Sequence, residues 1–374
     1  MSPTLGAYIA RRFFGTAAGS FLGVFFLIFV IHLVELLRKN SQGIASFADL
    51  VGMALLHAPT VTLTVAPFTM LLAALTCFAM LARSSELVVT RAVGVSVWQL
   101  LLPAGAVALA LGVFIVTAFN PLAAAFAKRY EALEVTYFDP GSSSMAFAGG
   151  GLWLRQGGKL GQTVIRAKGA SGTGERLWSV SVFEFGTGDR LVKRIEARSA
   201  VLEPGAWRLH GVRSWQLVNL DIQSPQRSER VTRPTRSETL RIPTDLTPER
   251  IQESFAPPRT ISFWQLPGFI ALLEHAGFNA ARHRLHWEGL LALPVVFVAM
   301  LLIGAGFAMR HARLGGAGYR ALACVLAGFT YFFLSDLATA LGSSGAVPVL
   351  IAAWAPPVSA VMFALGLLLH LEDG

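Results

Sequence analysis

Six stretches of this sequence are long and apolar enough to cross a lipid bilayer, and they constrain the fold more than any other feature. A helix needs about 20 consecutive apolar residues to span the bilayer core. The mean hydropathy of +0.57 and the charged fraction of 14% agree, because soluble domains average about 25% charged residues. We therefore predict an α-helical membrane protein with six transmembrane helices, at residues 13–36, 51–81, 97–119, 290–309, 321–341 and 347–369.

The charged residues are concentrated between the third and the fourth apolar stretch. Residues 128–259 contain 20 of the 31 lysines and arginines of the chain and 14 of its 22 acidic residues. This segment has the composition of a soluble domain. The predicted organisation is therefore three spans with a cytoplasmic loop helix (1–127), an inserted soluble domain (128–260), and a surface helix followed by three more spans (261–374).

The inserted segment has the residue pattern of β-strands. Residues 177–185 alternate apolar and polar side chains, which is typical of a half-buried strand and places Trp178 on one face with Val180 and Val182. Further strand-like segments follow after tight turns, without an intervening helix. Such closely spaced strands predict an antiparallel sandwich or jelly roll, and we expect an antiparallel β-jellyroll domain.

Lysine and arginine in the short loops predict the orientation, because these residues are enriched on the cytoplasmic side. With the N-terminus in the cytoplasm, the basic residues on the cytoplasmic side outnumber those on the other side. The cytoplasmic set is Arg11, Arg12, Arg83, Arg91, Arg310, Arg313 and Arg320, and the opposite set is Arg38, Lys39, Arg282 and Arg284. We predict that both termini are cytoplasmic and that the β domain faces outward, away from nucleic acid.

The sequence carries no motif for catalysis, for a metal or for a cofactor. Gly157-Gly158-Lys159-Leu160 lacks the hydroxyl residue of a phosphate-binding loop. His275, His283 and His286 do not have the spacing of a ligand set, and both cysteines lie in apolar runs. We therefore do not expect this chain to hydrolyse nucleotide by that route.

Residues 84–96 (SSELVVTRAVGVS) lie between the second and the third span and form the most informative segment. As a helix, the segment places Glu86, Thr90 and Gly94 on one row, while Leu87 and Arg91 share the next. An amphipathic helix in a short cytoplasmic loop can dock into the groove of another protein. The alternative is a loop helix that only connects two spans.

The same segment resembles the coupling helix of the LptF/LptG family of lipopolysaccharide-export permeases. The resemblance lies in S-E-L-V-V from Ser85, followed by R-A-x-G-x-S from Arg91. It extends over the whole chain through four further motifs, namely G-L-W at 151–153, W-R-L at 207–209, T-P-E at 247–249 and P-x5-M at 294–300. The S-E-L-V-V form resembles the LptG branch more than LptF. Thr90 departs from the family, which more often has Met there.

The resemblance implies a function and a set of partners. Such a chain is the LptG-type permease subunit of an ATP-driven exporter in the bacterial inner membrane, which passes lipopolysaccharide to a periplasmic bridge. It pairs with an LptF-type subunit, an LptB-type ATPase dimer and an LptC-type protein. The implied ATPase-coupling residues are Ser85, Glu86, Leu87, Arg91 and Gly94. The alternatives are the sister LptF-type subunit and a non-transporting scaffold for periplasmic proteins.

Basic residues at the outer end of the first span form a candidate substrate site. Charge-assisted contacts to phosphate are strong, so cations here suit the phosphates of lipid A. The resemblance implies that Arg38 and Lys39 match substrate-binding lysines of the family and that His32 stands at another basic position. Alternatively, these cations only anchor the helix end at the membrane surface. Asp336, inside the fifth span, is either functional or paired with another helix, and we leave it outside the site.

Overall fold

A computed structural model describes most of the chain as two compact units. The described residues are 3–41, 43–84, 86–92, 94–138, 144–148, 151–158, 161–171, 175–186, 191–216, 234–244, 257–275, 279–309 and 317–372. Met1–Leu133, Arg259–Pro267 and Ala281–Gly374 form a helical unit. Glu134–Pro258 and Gly268–Ala280 form the second unit, which contains the β-sheet.

The helices of the described ranges include six that are long and apolar enough to span a membrane, as the sequence predicted. The third of these comprises α4, a π-helical turn and α5. The helices are α1 (Pro3–Lys39), α2 (Phe47–Arg83), the short α3 (Glu86–Ala92), α4 (Val97–Phe114), α5 (Asn120–Phe138), α6 (Leu266–His275), α7 (Ala281–Met309), α8 (Ala317–Ser343) and α9 (Val349–Glu372). The π-helical turn is Ile115–Phe119, and a 3₁₀ turn, Pro258–Thr260, precedes α6.

Helix α7 is the centre of the helical unit. In the most apolar stretch of α7, 67% of the residues are buried, compared with 11% in the corresponding stretches of α1 and α8. Glycine allows α2 and α7 to approach closely, because a Cβ atom added at Gly304 would lie 2.8 Å from the Leu71 carbonyl oxygen and 2.8 Å from the Ala74 Cβ. Small residues have this role at helix contacts in membranes. The exposed faces of α1 and α8 are therefore the faces available to lipid or to other chains.

The third span continues beyond residue 119, where the sequence predicted its end, and reaches Phe138. Pro121 would ordinarily break a helix, because its ring clashes with the carbonyl group four residues earlier. That carbonyl belongs to Thr117 in the π-helical turn, and it accepts a hydrogen bond from Trp264 Nε1 at 3.1 Å. The Asn120 side chain also accepts the Phe263 backbone N–H at 2.8 Å. The π turn thus accommodates the proline and binds the segment that precedes α6.

The other prolines of the spans also lie within continuous helices. Pro59 and Pro67 are inside α2, and the adjacent Pro356 and Pro357 are inside α9, although proline removes a hydrogen bond of the helix. Both members of the pair in α9 are buried. Tertiary packing therefore maintains helices that a local rule would end.

The β domain contains an antiparallel sheet of seven described strands, and the predicted β insert between the helices is confirmed. The strands are β1 (Ser144–Ala148), β2 (Gly151–Gly158), β3 (Gly161–Ala170), β4 (Arg176–Phe185), β5 (Leu191–Glu203), β6 (Ala206–Gln216) and β7 (Thr235–Pro243). Each strand pairs with the next one in the chain, so the strand order is β1-β2-β3-β4-β5-β6-β7. This order is a meander, and the crossing connections of a jelly roll do not occur among these strands.

The sheet is curled, because residues from distant strands meet. Gln156 of β2 donates from Nε2 to the Pro243 carbonyl oxygen of β7 at 3.0 Å, and the Thr244 hydroxyl donates to Gln156 Oε1 at 2.6 Å. β2 and β7 are separated by four strands in the sheet order. A flat sheet would hold them far apart, at about 4.8 Å per strand. The sheet therefore forms a roll with its apolar face inside.

The apolar face of β4 differs from the predicted one at Trp178. Leu177, Val180 and Val182 are buried, whereas Trp178 is 47% exposed. The reason is Ser179, which has a left-handed φ of 51° and shifts the alternation of side chains by one residue. The predicted grouping of Trp178 with Val180 and Val182 is therefore wrong.

Candidate functional site

Glu86, the first residue of α3, contacts the N-terminal end of α1. Its Oε1 accepts a hydrogen bond from Arg12 Nη1 at 3.2 Å, and its Oε2 accepts one from the Tyr8 hydroxyl at 3.0 Å. Arg12 also donates to the Tyr8 hydroxyl. Tyr8 and Arg12 are one turn apart on α1 and therefore lie on the same face. Together, the three side chains connect α1 with α3.

Ser84 adds a third contact to Glu86. Ser84 is the C-cap of α2, and its hydroxyl lies 2.8 Å from Glu86 Oε1. The pKa of Glu86 lies below its ordinary value, mainly because Ser84 donates a hydrogen bond to the carboxylate. The hydrogen bond from Tyr8 and the positive charge of Arg12 lower the pKa further, and together these effects outweigh desolvation. Glu86 is therefore an ionised carboxylate at neutral pH, with donors on both oxygens.

The remainder of the segment is a short helix followed by a glycine turn. α3 ends at Ala92, so Gly94 lies in the turn and not on the predicted helical row with Glu86 and Thr90. Gly94 has a left-handed φ of 85°, a conformation that glycine adopts without strain. Ser96 then caps α4 by accepting the Gln99 backbone N–H at 3.2 Å.

Three members of the predicted coupling set are described only in part or not at all. Ser85 lies outside the described residues. Leu87 and Arg91 belong to α3, and their side chains are outside the described part of the structure. Of the predicted coupling set, the structure therefore describes Glu86, Gly94 and the backbone of Leu87 and Arg91.

The C-terminal end of α1 carries the predicted substrate residues Arg38 and Lys39. Both side chains are exposed. Lys39 Nζ lies 3.5 Å from Glu35 Oε1, whereas Arg38 forms no ion pair with any residue that the structure describes. Exposed cations next to the apolar face of α1 are suitably placed to meet an anionic lipid headgroup.

His32 is not exposed with these cations. Its side chain is buried, its ring stacks on that of His57 of α2 with 4.1 Å between centroids, and the Tyr130 ring of α5 lies 5.5 Å away. His32 Nδ1 is 3.4 Å from Glu35 Oε2. His57 and Tyr130 were not predicted from the sequence. The available signal was an isolated histidine within the apolar stretch 51–81.

Glu35 links the buried and the exposed parts of this site. One carboxylate oxygen faces His32 and the other faces Lys39, three and four residues away on α1. Glu35 therefore connects His32 with Lys39.

Asp336 lies in α8 with an exposed side chain and no ion pair to the described residues. Large apolar side chains surround it on the same helix, including Phe332, Phe333 and Leu337, which are 42–66% exposed. Among the described residues, no group of three histidines, cysteines or acids is arranged to hold a metal ion.

The fold and these sites define a class of protein. The chain is a polytopic helical membrane protein with a β domain inserted between two sets of three spans, and a short interhelical segment is hydrogen-bonded to its first helix.

Comparison with known proteins identifies the family. The family described as "Lipopolysaccharide export system permease LptF/LptG" matches residues 7–370. The lipopolysaccharide export system permease protein LptG of Escherichia coli strain K12 is 26% identical over 373 residues, which cover 98% of each chain. The LptG protein of E. coli O6:H1 matches with the same identity and coverage. The chain therefore belongs to the LptF/LptG family of lipopolysaccharide export permeases, as the resemblance predicted.

Proposed function

We propose that this chain is the LptG-type subunit of an ATP-driven lipopolysaccharide exporter. The observation that carries the proposal is the similarity to E. coli LptG over 98% of both chains. The S-E-L-V-V sequence at the start of α3 supports the LptG branch. The LptF-type subunit is the alternative within the family, since the family description includes both.

The partners are those that membership of the family implies. An LptB-type dimer would supply ATP hydrolysis, which fits the missing phosphate-binding loop, and it would dock on residues 84–96. An LptF-type subunit would complete the membrane cavity, with the exposed faces of α1 and α8 as its contact surfaces. An LptC-type protein would receive lipopolysaccharide from the β domain.

The orientation is part of the proposal. The basic residues of the short loops favour cytoplasmic termini, in the bacterial inner membrane. α3 then faces the cytoplasm, where ATP is available, and the β domain faces the periplasm. The C-terminal end of α1, with Arg38 and Lys39, lies at the outer leaflet, from which the lipid is extracted.

In this arrangement Arg38 and Lys39 bind the phosphates of lipid A. Their exposure next to the apolar surface of α1 supports this role, because a lipid can reach them laterally. His32 is buried against His57 and Tyr130, so we assign it to positioning Glu35 and the helix end. Glu35 in turn holds Lys39.

Affinity isolation of the tagged full-length chain from its native membranes tests the proposal. We expect an ATPase and a second six-span permease in the purified complex. A partner that is itself more similar to LptG than to LptF would identify this chain as the LptF-type subunit. Recovery of periplasmic proteins without any ATPase would support the scaffold alternative.

A further inference from the structure

Aromatic and arginine side chains alternate across the outer face of the rolled sheet. They come from five consecutive strands, β2 to β6, and the members on β2 to β5 are each next in sequence to a residue buried inside the roll. Because side chains of a strand alternate between the two faces of the sheet, these residues point outward together. We call this set the outer stripe, and its members are Trp153, Arg166, Phe183, Arg194 and Trp215.

The outer stripe is continuous, because its rings and guanidinium groups contact one another. The Arg166 guanidinium carbon lies 5.1 Å from the centre of the Trp153 ring, and the Trp153 and Phe183 rings stack with 6.5 Å between their centroids. The Arg194 guanidinium carbon lies 5.8 Å from the centres of both the Phe183 and the Trp215 rings. Cations within about 6 Å of a ring centre are attracted to its face. The two arginines are therefore held in place by the rings.

The surroundings of the outer stripe are positively charged. Lys168 follows Arg166 on the same face of β3, and Arg213 of β6 is the cross-strand partner of Glu196. Both Lys168 and Arg213 are exposed. With Arg166 and Arg194, these cations outnumber the acidic Glu196 that lies among them. A basic surface of this kind favours an anionic ligand.

The two stacked arginines retain donors for such a ligand. Arg194 Nη2 lies 2.6 Å from Glu196 Oε1, but a guanidinium group has further N–H donors. Arg166 Nε is buried and has no hydrogen-bond partner among the described residues. A buried donor without an acceptor costs free energy, so an acceptor from a ligand would be favourable. Carboxylate and phosphate groups match the planar edge of a guanidinium group.

We propose that the outer stripe binds the acidic saccharide of lipopolysaccharide. Sugar rings have apolar C–H faces that pack on aromatic rings, and the carboxylate and phosphate groups of this saccharide pair with arginine. The saccharide does not fit among the apolar side chains inside the roll, because hydroxyl groups are costly to bury without partners. The inference rests on the proposed function for the presence of this substrate at the β domain.

The length of the outer stripe fits a short oligosaccharide. Five strands at about 4.8 Å spacing place the ends of the stripe about 19 Å apart along the sheet. The three rings are distributed over this whole length. An acidic protein segment is the alternative ligand. Its carboxylates would pair with the arginines, but it has no row of flat apolar faces to cover the rings.

Photocrosslinking of the purified full-length chain in lipid nanodiscs tests the site. A photo-reactive phenylalanine replaces Ser181, which lies between Arg166 and Glu196 in the register, and a second variant carries it at Val164, opposite Phe183. The probe is the labelled saccharide of lipopolysaccharide after complete deacylation, which has no acyl chains to enter the roll or the membrane. We expect a crosslink at both positions.

Variants of the outer stripe test which side chains bind the saccharide. Arg194→Ala should lower the crosslink by at least about fivefold, because a charged hydrogen-bond donor is lost. Phe183→Leu removes the central ring and should lower it by at least about twofold. Arg198→Ala and Trp178→Leu are the matched controls, since they remove an exposed cation and a half-exposed ring from the same two strands but outside the stripe. Neither control should change the crosslink.

Competition identifies the chemistry of the ligand. Unlabelled deacylated saccharide should compete for the crosslink, and the neutral saccharide maltohexaose should not. The proposal is overturned by the absence of a crosslink at both positions, by equal competition from maltohexaose, or by equal losses in Arg194→Ala and Arg198→Ala. A labelled hexaglutamate peptide that crosslinks where the saccharide does not would overturn it in favour of an acidic protein partner.

Failure of the proposed function is recognised separately. The crosslinking uses the purified chain and needs neither ATP nor a partner subunit. If affinity isolation recovers no ATPase, the proposed function fails, and the crosslink still decides whether the outer stripe binds the saccharide.

Discussion

The charged side chains of α1 lie near its two ends, and the segment between them is predominantly apolar. At one end Tyr8 and Arg12 contact Glu86, and at the other Glu35 contacts His32 and Lys39. Each carboxylate has contacts on both of its oxygens. A carboxylate with contacts on both oxygens holds the side chains around it in place. Glu86 has this role at one end of α1, and Glu35 has it at the other.

Reversing the charges of Arg38 and Lys39 should remove lipid binding. Arg38→Glu with Lys39→Glu places two negative charges where lipid A phosphates would lie. We expect photocrosslinking of lipopolysaccharide from position 34, an exposed site one turn earlier, to fall by at least about tenfold.

The control is the exchange of the two basic residues, Arg38→Lys with Lys39→Arg, which keeps both charges and should retain most of the crosslinking. Subunit assembly should be normal in both variants. If crosslinking survives the charge reversal, these cations act only as anchors at the membrane surface.

Among the helices, close approach at glycine and the accommodation of proline determine the packing. Gly304 admits the backbone of α2, and Gly306 of the same helix admits Leu367 of α9. The π turn before Asn120 leaves a carbonyl that binds Trp264. π-helical turns are often found at functional positions, and here the turn joins the third span to the chain that returns from the β domain.

Replacing Gly304 by Ala should destabilise the helical unit. The added methyl group would lie 2.8 Å from a backbone oxygen of α2, so the two helices must separate. Overpacking of this kind costs about 1–3 kcal/mol. The measurement is the thermal unfolding midpoint of the full-length chain in detergent, which should fall.

Gly289→Ala is the matched control on the same helix. An added Cβ atom there has no neighbour within 4 Å, so the change should be neutral or stabilise by about 0.5–1 kcal/mol through helix propensity. A midpoint that responds equally to both substitutions would contradict close packing of α2 on α7.

In the whole molecule, two units of different chemistry share one chain. The helical unit exposes apolar surface on α1 and α8, and the β domain keeps its apolar face inside the rolled sheet. Leu177, Val182, Ile195 and Leu209 of that face have no exposed surface. Acyl chains in water cost about 0.8 kcal/mol for each methylene group, which favours a path inside the roll. Because these side chains fill the interior, the roll has to open before a lipid can enter.

Two tryptophans of the β domain test whether the roll carries lipid. Trp207 is fully buried on the inner face, and Trp178 is 47% exposed. We expect a photo-reactive phenylalanine at position 207 to crosslink lipopolysaccharide only while ATP is hydrolysed, since the roll must open first.

Position 178 is the control and should give no crosslink that depends on ATP. Crosslinks from the spans, with none from position 207 under any condition, would indicate that the domain is structural and that the lipid passes through the partner subunit.

The sequence by itself determined the number and the place of the spans, the inserted β domain and the position of α3. These features depend on local composition and periodicity, because a membrane requires a continuous apolar stretch and a half-buried strand requires alternation. The family was also apparent from short motifs around Glu86. Elements of this kind are specified by neighbouring residues, so they can be predicted without knowledge of distant contacts.

Only the tertiary structure decided which residues meet. Glu86 and Arg12 are 74 positions apart, and nothing in either segment indicates the other. The burial of His32 depends on rings from α2 and α5, and the exposed position of Trp178 follows from the left-handed backbone at Ser179. Pro121 does not end the third span, because Trp264 binds the carbonyl that the ring displaces. Such outcomes depend on contacts between distant segments, whose energies offset local preferences.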